Sequence, residues 1–533
     1  MGNDPLLSQA VQAAIINSMA PFTDAAIVNS LATFTDADVE ELKASLSEGA
    51  RVARPEDPYY EKGIERWSTA AEKRASIVTF PKTPADVSKA VLFGVKHKLE
   101  LAVCGGGHST SGSSSTEHGL CVNLSGMRAV EVNVEAKTVT ADGGALWKDV
   151  DVAAGKEKLA VVGGTVDHTG IGGLTLGGGY SYLTPAHGLT IDNLLAVEFV
   201  LADGTITNAS HTENTDLFWA ARGAGTSFGV ATKFTYQAHD QPDNIWAAKI
   251  VFDIHGFEPV IEFAQRLLET KDPKSWLFVG SGHMPPKPVV PSILCICFYN
   301  GTYEEAMSVF GPLTRLKEHQ IYSHFHQMPY SEVNSLINDA CAHGHRRTMS
   351  GCAFIPSHET SRELAWKSFD SLKQFVKKHP DAAHSFVLLE FIPFDKVCEV
   401  AQTATAFANR GAYCNLLYIM CWDKPASDHP VRDFVREQVG AARIQFLKDR
   451  AKLRVEGNID PVTESSVGEY FNHDTNSSDV DGSTAFGLNY SRLVELKKKY
   501  DPTNVFCKGP KLLPSVQNEG LNVVFNPSSE LQP

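Results

Sequence analysis

Hydrophobic and polar residues follow two different patterns along this chain, and the change between them marks its regions. Between residues 71 and 240, short apolar or alternating runs are separated by glycine-rich turns, as in "SIVTFP", "LELAVC" and "TVTADGG". Such runs predict brief β-strands. Within the same region, "PADVSKAVLFGVKHK" repeats apolar positions at helical spacing after a Pro/Asp start, which predicts a helix.

From residue 241 the pattern changes to longer β-runs, such as "WLFVGSGHM" and "HSFVLLEFIPF", between amphipathic helices such as "SRELAWKSFDSLKQFVKKH". After residue 460 comes one more helix, "YSRLVELKKKY", which Asp501-Pro502 ends. The whole pattern predicts an α+β protein. Its predicted regions are an N-terminal helical arm (1–70), a glycine-rich part (71–240), a second α+β part (241–460), a C-terminal part (461–515) and a tail (516–533).

Composition and charge narrow the choice of partner and compartment. The chain is 43% hydrophobic and 21% charged, as is usual for a globular protein with a large core. Its formal net charge of −14 argues against nucleic acid or an anionic membrane surface as partner. No Lys or Arg precedes Lys43, and the ten cysteines are scattered without a C-x-x-C pair. We therefore expect no membrane anchor and a cytoplasmic or other intracellular location.

Three glycine clusters lie within the glycine-rich part, at residues 104–116, 163–188 and 222–232. Successive backbone N–H groups on glycine loops form concavities that bind anions, such as the pyrophosphate of a dinucleotide. Any one cluster can be a simple turn, because glycine is the default turn residue. Together the three clusters favour a large cradled ligand.

Other known binding and catalytic motifs match this sequence only in part. A Rossmann fingerprint starting at Gly170 fails because Thr175 stands at its third glycine. Gly225-Thr-Ser227-Phe-Gly229 matches the elbow of a serine hydrolase, but the preceding "DLFWAARGA" has the pattern of a helix where that elbow needs a strand. A serine hydrolase therefore stays a minor alternative. His343 and His345 lack partners at metal-ligand spacing, so we interpret them as surface or capping residues and expect no metal.

Five motifs in order resemble those of the vanillyl-alcohol-oxidase-type (PCMH-type) FAD-linked oxidases, in their berberine-bridge-enzyme-like branch. They are "GGGHS", "VNLSGMRAVEVN", "GGLTLGGGYSYLTPAHGLTIDNLLAVEFVLADG", "DLFWAARGAGTSFGVATKF" and "GLNYSRLVELKKKYDPTNVF". The resemblance covers roughly residues 70–240 and 460–510. It implies a two-part PCMH-type FAD-binding domain, built from 71–240 and 461–515. Residues 241–460 would form an inserted substrate domain on an antiparallel sheet flanked by helices.

The resemblance also implies a cofactor and its attachment. In this family the histidine of the first glycine loop bonds covalently to the flavin 8α-methyl group, and His108 stands at that position. Val166 replaces the cysteine that gives some members a second link, so we expect FAD to be held through His108 alone. The residues expected to bind the cofactor are Gly105, Gly106, Gly107, His108, Ser109, Thr110, Gly112, Thr165, Val166, Gly170, Gly173, Gly177, Gly178, Gly229, Val230, Asn489 and Tyr490.

The resemblance implies an oxidase that takes hydride from a small organic alcohol or secondary metabolite and passes electrons to O2, giving hydrogen peroxide. Thr169 occupies a position associated with oxygen access, and its small side chain favours this activity. We expect a monomer or small homo-oligomer.

The catalytic base is less clear from the sequence. Leu417 stands where plant relatives carry a Glu or Gln, and it can accept no proton. Tyr470 can act as base if nearby positive charge lowers its pKa, or it can simply pack between domains. Glu390 is the other candidate, with a solvent-facing strand position as its alternative. A net non-redox cyclisation on a bound flavin therefore stays open.

Overall fold

The computed structural model describes residues 34–242, 244–283, 291–473 and 480–512. The predicted tail and the first half of the predicted N-terminal arm lie outside these residues. Eighteen strands are present in the described part. In chain order they are β1 Arg51–Ala53, β2 Ile77–Phe80, β3 Leu101–Cys104, β4 Leu120–Asn123, β5 Val130–Asn133, β6 Thr138–Asp142, β7 Leu159–Ala160, β8 Leu194–Val200, β9 Ile206–Ser210, β10 Val230–Gln237, β11 His239–Asp240, β12 Ile245–Phe252, β13 Ser275–Gly282, β14 Ser292–Tyr299, β15 Gln320–Met328, β16 Arg346–Phe354, β17 Phe386–Phe391 and β18 Cys414–Trp422.

The helices of the same residues are α1 Asp36–Ser45, α2 Tyr60–Ile64, α3 Pro84–Lys96, α4 Trp147–Gly155, α5 Ile171–Leu176, α6 Thr184–His187, α7 Thr215–Ala224, α8 Phe257–Thr270, α9 Tyr303–Thr314, α10 His358–Lys378, α11 Asp395–Cys398, α12 Asp428–Glu456, α13 Pro461–Ser465, α14 Gly482–Phe486 and α15 Tyr490–Tyr500. Helix α3 shows how the sequence sets a boundary. The Thr83 hydroxyl accepts from the N–H of Asp86, whose carboxylate accepts in return from the N–H of Thr83. This capping box fixes the start of the helix at Pro84.

The glycine-rich part forms two main sheets. One has the strand order β1-β2-β4-β3, with β1 antiparallel to β2 and the other pairs parallel. The other, of order β5-β6-β10-β8-β9, is antiparallel throughout. Residues 51–53 were predicted to lie in a helical arm, and the structure corrects this: they form edge strand β1 of the first sheet. A three-residue strand offers too little periodicity to be recognised.

Residues 245–422 supply the seven strands of an antiparallel sheet, in the order β15-β12-β14-β13-β17-β18-β16. Its central strands are buried on both faces. One face packs against helices α8, α9, α10 and α12, in a core that includes Leu277, Leu389 and Leu416. The opposite face, with Phe278 and Leu388, packs against residues of the glycine-rich part. Because both faces are covered, a polar side chain on a central strand is buried against either the helices or the glycine-rich part.

The C-terminal helix α15 returns to the glycine-rich part, where it packs against α7. The buried Lys497 ammonium donates to the carbonyl of Ser227 at 2.7 Å and to the Asp501 carboxylate at 2.7 Å. A buried lysine is tolerated when its charge is paired and its protons are bound in this way. The α+β architecture and the two-part arrangement predicted from the sequence are confirmed. No helix among the described residues is long and apolar enough to cross a membrane.

Candidate active site

Two glycine loops touch each other backbone to backbone. A Cβ atom placed on Gly106, in the loop after β3, would lie 2.2 Å from the backbone nitrogen of Gly170, just before α5. A Cβ on Gly170 would lie 2.2 Å from the nitrogen of Gly106. No side chain fits at either position, so the close approach requires glycine. The contact brings the first two glycine clusters to one cavity, and residues of the third cluster also line it.

Most of the residues predicted to bind the cofactor line this cavity. The lining includes Gly105, Gly106, Gly107, His108, Ser109, Thr110, Thr165, Val166, Gly170, Gly173, Gly177 and Gly229. Among the described residues, the buried hydroxyl of Ser114 also lies here without a hydrogen-bond partner. A buried hydroxyl is normally bonded, so this one indicates a polar ligand group beside it. Glycine backbone and small hydroxyl residues together fit a large phosphate-bearing ligand such as FAD.

Five predicted cofactor residues lie outside the cavity lining, where each has a structural contact of its own: Gly112, Gly178, Val230, Asn489 and Tyr490. Val230 is fully buried in an apolar core. The Asn489 amide donates to the carbonyls of Gln402, Thr405 and Ala406, so it holds a loop in place.

The other three have equally structural roles. Gly178 has a positive φ of 124°, and a Cβ there would meet the Phe407 ring at 2.6 Å. Gly112 lies in a turn beside Lys73, at a φ of 78° that favours glycine. Tyr490 packs against the core under the antiparallel sheet of the glycine-rich part. Glycine content and motif position cannot separate such backbone roles from ligand contact.

His108 is held on three sides. Its ring stacks on the Trp67 indole, with centroids 5.0 Å apart and planes 7° from parallel. Its Nε2 lies 2.7 Å from Nδ1 of His168, and its Nδ1 lies 3.5 Å from the Thr169 hydroxyl. Burial, followed by the neighbouring histidines, lowers the pKa of His108 well below its ordinary value. The imidazole is therefore neutral at physiological pH and carries a lone pair, as a nucleophile requires.

His343 is exposed, as the sequence interpretation expected, but unlike that interpretation it does have histidine partners. Its ring lies 4.6 Å from that of His168 and 5.9 Å from that of His108, measured between centroids. One ring nitrogen from each of the three histidines lies within 4.8 Å of the other two. Two ligands of one tetrahedral metal ion lie about 3.3 Å apart, since metal–nitrogen bonds are about 2.0–2.1 Å. The 2.7 Å between His108 and His168 is a hydrogen-bond distance. The three rings form a row, with a hydrogen bond between His108 and His168 and a ring contact between His168 and His343, which sequence spacing could not reveal.

Glu390 lies at the sheet side of the cavity and is 2% exposed. The Tyr180 hydroxyl donates to its Oε2, and the Asn415 amide donates to the same oxygen at 3.1 Å. Burial raises the pKa of Glu390 to about 7, while the bonds from Tyr180 and Asn415 pull it down. The solvent-facing alternative for this residue is wrong. A carboxyl group that titrates near neutrality is suited to accept a proton from a substrate.

Strand register explains why this carboxyl faces the cavity. Glu390 pairs with Asn415, and Leu388 pairs with Leu417 two positions further along. All four point to the face opposite the helices, because side chains alternate along a strand. Sequence reasoning missed Asn415, although its place two residues before Leu417 put it on the same face. It also missed Tyr180, which lies within the second glycine cluster, directly after its run of three glycines.

Tyr470 is buried beside Glu390 and its hydrogen-bond partners, but the environment of its hydroxyl opposes the predicted ionisation. Its hydroxyl accepts from the N–H of Gly179 at 3.0 Å and from the Asn472 amide at 2.8 Å. Burial raises its pKa above the ordinary tyrosine value, with those bonds acting in the other direction. The predicted base needed a lowered pKa, so the structure favours Glu390. Nearby His473 is neutral, because burial lowers its pKa to about 3.

The serine-hydrolase alternative does not gain support from the structure. "DLFWAARGA" is helix α7, as predicted, so no strand leads into the turn that carries Ser227. Ser227 is 2% exposed and its backbone carbonyl binds Lys497. A nucleophile on a strained strand-to-helix elbow needs an exposed hydroxyl.

Comparison with known proteins identifies the family. A family model described as "FAD binding domain" matches residues 75–210, and one described as "Berberine and berberine like" matches residues 469–508. The FAD-linked oxidoreductase pgmH of Aspergillus terreus is 30% identical over 487 residues, which cover 90% of this chain and 96% of that protein. The chain belongs to the berberine-bridge-enzyme-like FAD-linked oxidoreductases.

Other relatives of this oxidoreductase cover similar lengths. FAD-linked oxidoreductase hasG of Aspergillus fumigatus is 29% identical over 469 residues, 86% of this chain and 96% of its own. The fold is similar to that of 6-hydroxy-D-nicotine oxidase from Arthrobacter nicotinovorans, with a TM-score of 0.72 and 23% identity over 88% of this chain and 98% of that one. The fold is also similar to that of BBE-like 1 from Physcomitrella patens, with a TM-score of 0.73 and 20% identity over 89% of this chain and 99% of that one. The family, the fold, FAD and enzymatic activity are confirmed.

Proposed function

We propose that this FAD-linked oxidoreductase is an oxidase, which removes a hydride from the hydroxyl-bearing carbon of a small, largely apolar alcohol and the proton from that hydroxyl group. The observation that carries the proposal is the buried Glu390 carboxyl, with a pKa of about 7, in the wall of the glycine-lined cavity. FAD, when bound in this cavity, would supply the hydride acceptor and the route for electrons to O2, with hydrogen peroxide as product.

The protein groups around Glu390 are arranged for proton transfer. The Tyr180 hydroxyl and the Asn415 amide both bind its Oε2, so they orient the carboxyl and stabilise its ionised form. Ionised Glu390 accepts the proton of the substrate hydroxyl as the hydride leaves the neighbouring carbon. Leu417, which lacks any acceptor, had left a net non-redox cyclisation open. Glu390 on the adjacent strand supplies the acceptor and favours oxidation.

The rest of the sheet face indicates the substrate class. Apolar side chains surround the carboxyl on this wall of the cavity: Phe278, Met349, Leu388, Leu417 and Ile419. Structural relatives include a chitooligosaccharide oxidase and a xylooligosaccharide oxidase. A sugar presents a hydroxyl on almost every carbon, and an apolar wall would leave those groups unbonded. We therefore infer an aromatic or otherwise apolar alcohol with few hydroxyl groups as the substrate.

Features around His108 support a single covalent link and access for O2. Its neutral ring, fixed on Trp67, keeps a nucleophilic nitrogen at the cavity. Val166 lines the same cavity and has no group that can bond to the flavin. Thr169 places only a small side chain beside the ring.

The test is anaerobic mixing of the purified enzyme with two matched sets of compounds, primary or secondary aromatic alcohols and oligosaccharides. We expect flavin absorbance to bleach only with the first set, followed by release of hydrogen peroxide when air is admitted. Bleaching by oligosaccharides alone would overturn the assignment of substrate class. Substrate turnover without peroxide would overturn the oxidase and favour the cyclisation.

A further inference from the structure

Three histidines from distant parts of the chain form a row from the buried cavity to the surface. His108 lies at the cavity, His168 is half-buried next to it, and His343 is exposed. The two contacts along the row are the 2.7 Å hydrogen bond between His108 and His168 and the 4.6 Å ring contact between His168 and His343. The activity proposed above uses only the first of these residues.

Formation of a bond between His108 and FAD releases protons that must go somewhere. One C–H bond of the flavin methyl group breaks and a C–N bond to the imidazole forms, with two electrons passing through the ring system to O2. The methyl group and the imidazole each lose one proton, and O2 takes up two protons and two electrons to become hydrogen peroxide. An alkylated imidazole that kept its N–H would be a buried cation, and burial without a counter-charge is unfavourable.

The surroundings of His108 make a positive charge on its ring still less favourable. Burial, then His168, His343 and Arg347, all lower its pKa, so the site disfavours positive charge on this ring. The Arg347 guanidinium lies over the Trp67 indole, 5.0 Å from the ring centroid, on which His108 is stacked. The proton must therefore leave the ring when the bond forms.

We propose that His168 accepts the Nε2 proton of His108 while Nδ1 of His108 bonds to the flavin. Nε2 of His168 is buried without a hydrogen-bond partner among the described residues, and the exposed His343 ring beside it takes up the proton and passes it to solvent. The inference rests on the covalent link proposed above. Nε2 is already engaged by Nδ1 of His168, which leaves Nδ1, with only the Thr169 hydroxyl at 3.5 Å, as the nitrogen free to attack. His168 and His343 are positioning and proton-transfer residues for cofactor attachment, and oxidation of the substrate does not require them.

The experiment follows attachment directly. FAD is added to flavin-free protein, samples are precipitated with acid at intervals, and the flavin that stays with the protein is measured. We compare the wild type with His168→Ala, His168→Asn and His343→Ala, and use His345→Ala as the matched control. His345 is a neighbouring histidine outside the row. Reversible FAD binding and thermal unfolding of each variant show that it is folded.

We expect His168→Ala to bind FAD but to attach it about 10²-fold more slowly, which is within the usual effect of a positioned proton acceptor. His168→Asn keeps an oxygen near the position of Nδ1 but cannot take the proton, so it should be equally slow. His343→Ala should be slowed less, and added imidazole should restore it, because this end of the row is exposed.

Normal attachment in folded His168→Ala would overturn the proposal, and so would full activity of His168→Asn, which would show that orientation alone matters. A His345→Ala variant as slow as His343→Ala would also contradict it. If instead wild-type flavin washes out on acid precipitation, the covalent link itself is wrong, and the two failures are thereby distinguished.

Discussion

Replacing Glu390 by glutamine tests the proposed base without changing the shape of the side chain. Glutamine can still accept from Tyr180 and still occupy the buried position, but it cannot take a proton. We expect flavin reduction by substrate to slow by about 10²–10⁴-fold. Because only the ionised carboxyl acts, the wild-type rate should rise with pH through the Glu390 pKa of about 7 and level off above it. At pH 6 about one tenth of the carboxyl groups are ionised.

The same substitution should change stability in a direction fixed by the pKa. Folding raises this pKa from 4.5 to about 7, so the folded state binds the proton more tightly than the unfolded state. Wild-type stability is therefore lost as pH rises from about 4.5 to 7, by about 3 kcal/mol in total. Glutamine carries no such loss, so flavin-free Glu390→Gln should be more stable than wild type at pH 8 and little different at pH 4.5.

Stopped-flow reduction between pH 5 and 9 and thermal unfolding at the two pH values are the assays. The control is Asp395→Asn, which replaces an exposed carboxylate at the start of α11 and should change neither profile. A Glu390→Gln variant that keeps wild-type reduction rates and the same rise near pH 7 would refute the assignment of the base.

Three further predictions concern Tyr470 and two buried charged residues outside the cavity lining. Tyr470→Phe should lower stability by about 1–3 kcal/mol, because it leaves the buried N–H of Gly179 without an acceptor; stopped-flow reduction should change less than tenfold, and a 10²-fold loss would return the base to Tyr470. Arg410→Met should reduce the free energy of unfolding by about 3–5 kcal/mol in denaturant titration, because it leaves Asp192 without its bidentate, fully buried partner; an unchanged midpoint would contradict this. Burial raises the pKa of Asp151 to about 8, so wild-type stability falls as pH rises from 4 to 8, and Asp151→Asn should flatten that slope in thermal unfolding; equal slopes would show that the shift is absent.

The sequence predicted the framework well because the signals were local. Where two backbones must touch, as at Gly106 and Gly170, only glycine fits, so the contact is visible in the sequence as glycine clusters. Helices such as α3, with its capping box, were likewise visible in a short window. The family resemblance then indicated that the FAD-binding domain is built from two segments, with the substrate domain inserted between them.

The functional side chains were harder, because their neighbours come from distant strands. Period-two alternation shows that Glu390 and Leu389 face opposite ways, but it cannot tell which face is covered by helices and which by the FAD-binding domain. The pairing of Glu390 with Asn415 depends on the register between β17 and β18. The contact of His343 with His168 depends on two loops meeting, and nothing in either segment indicates it.

The central claim, that this chain is an FAD oxidase, can be tested without knowing the substrate. The enzyme is reduced chemically under anaerobic conditions and then mixed with buffer containing O2, while flavin absorbance and hydrogen peroxide are followed. We predict rapid reoxidation that is first order in O2, with peroxide formed in equimolar amount to the flavin. Slow reoxidation no faster than that of free reduced flavin, or reoxidation only after an artificial electron acceptor is added, would contradict the account.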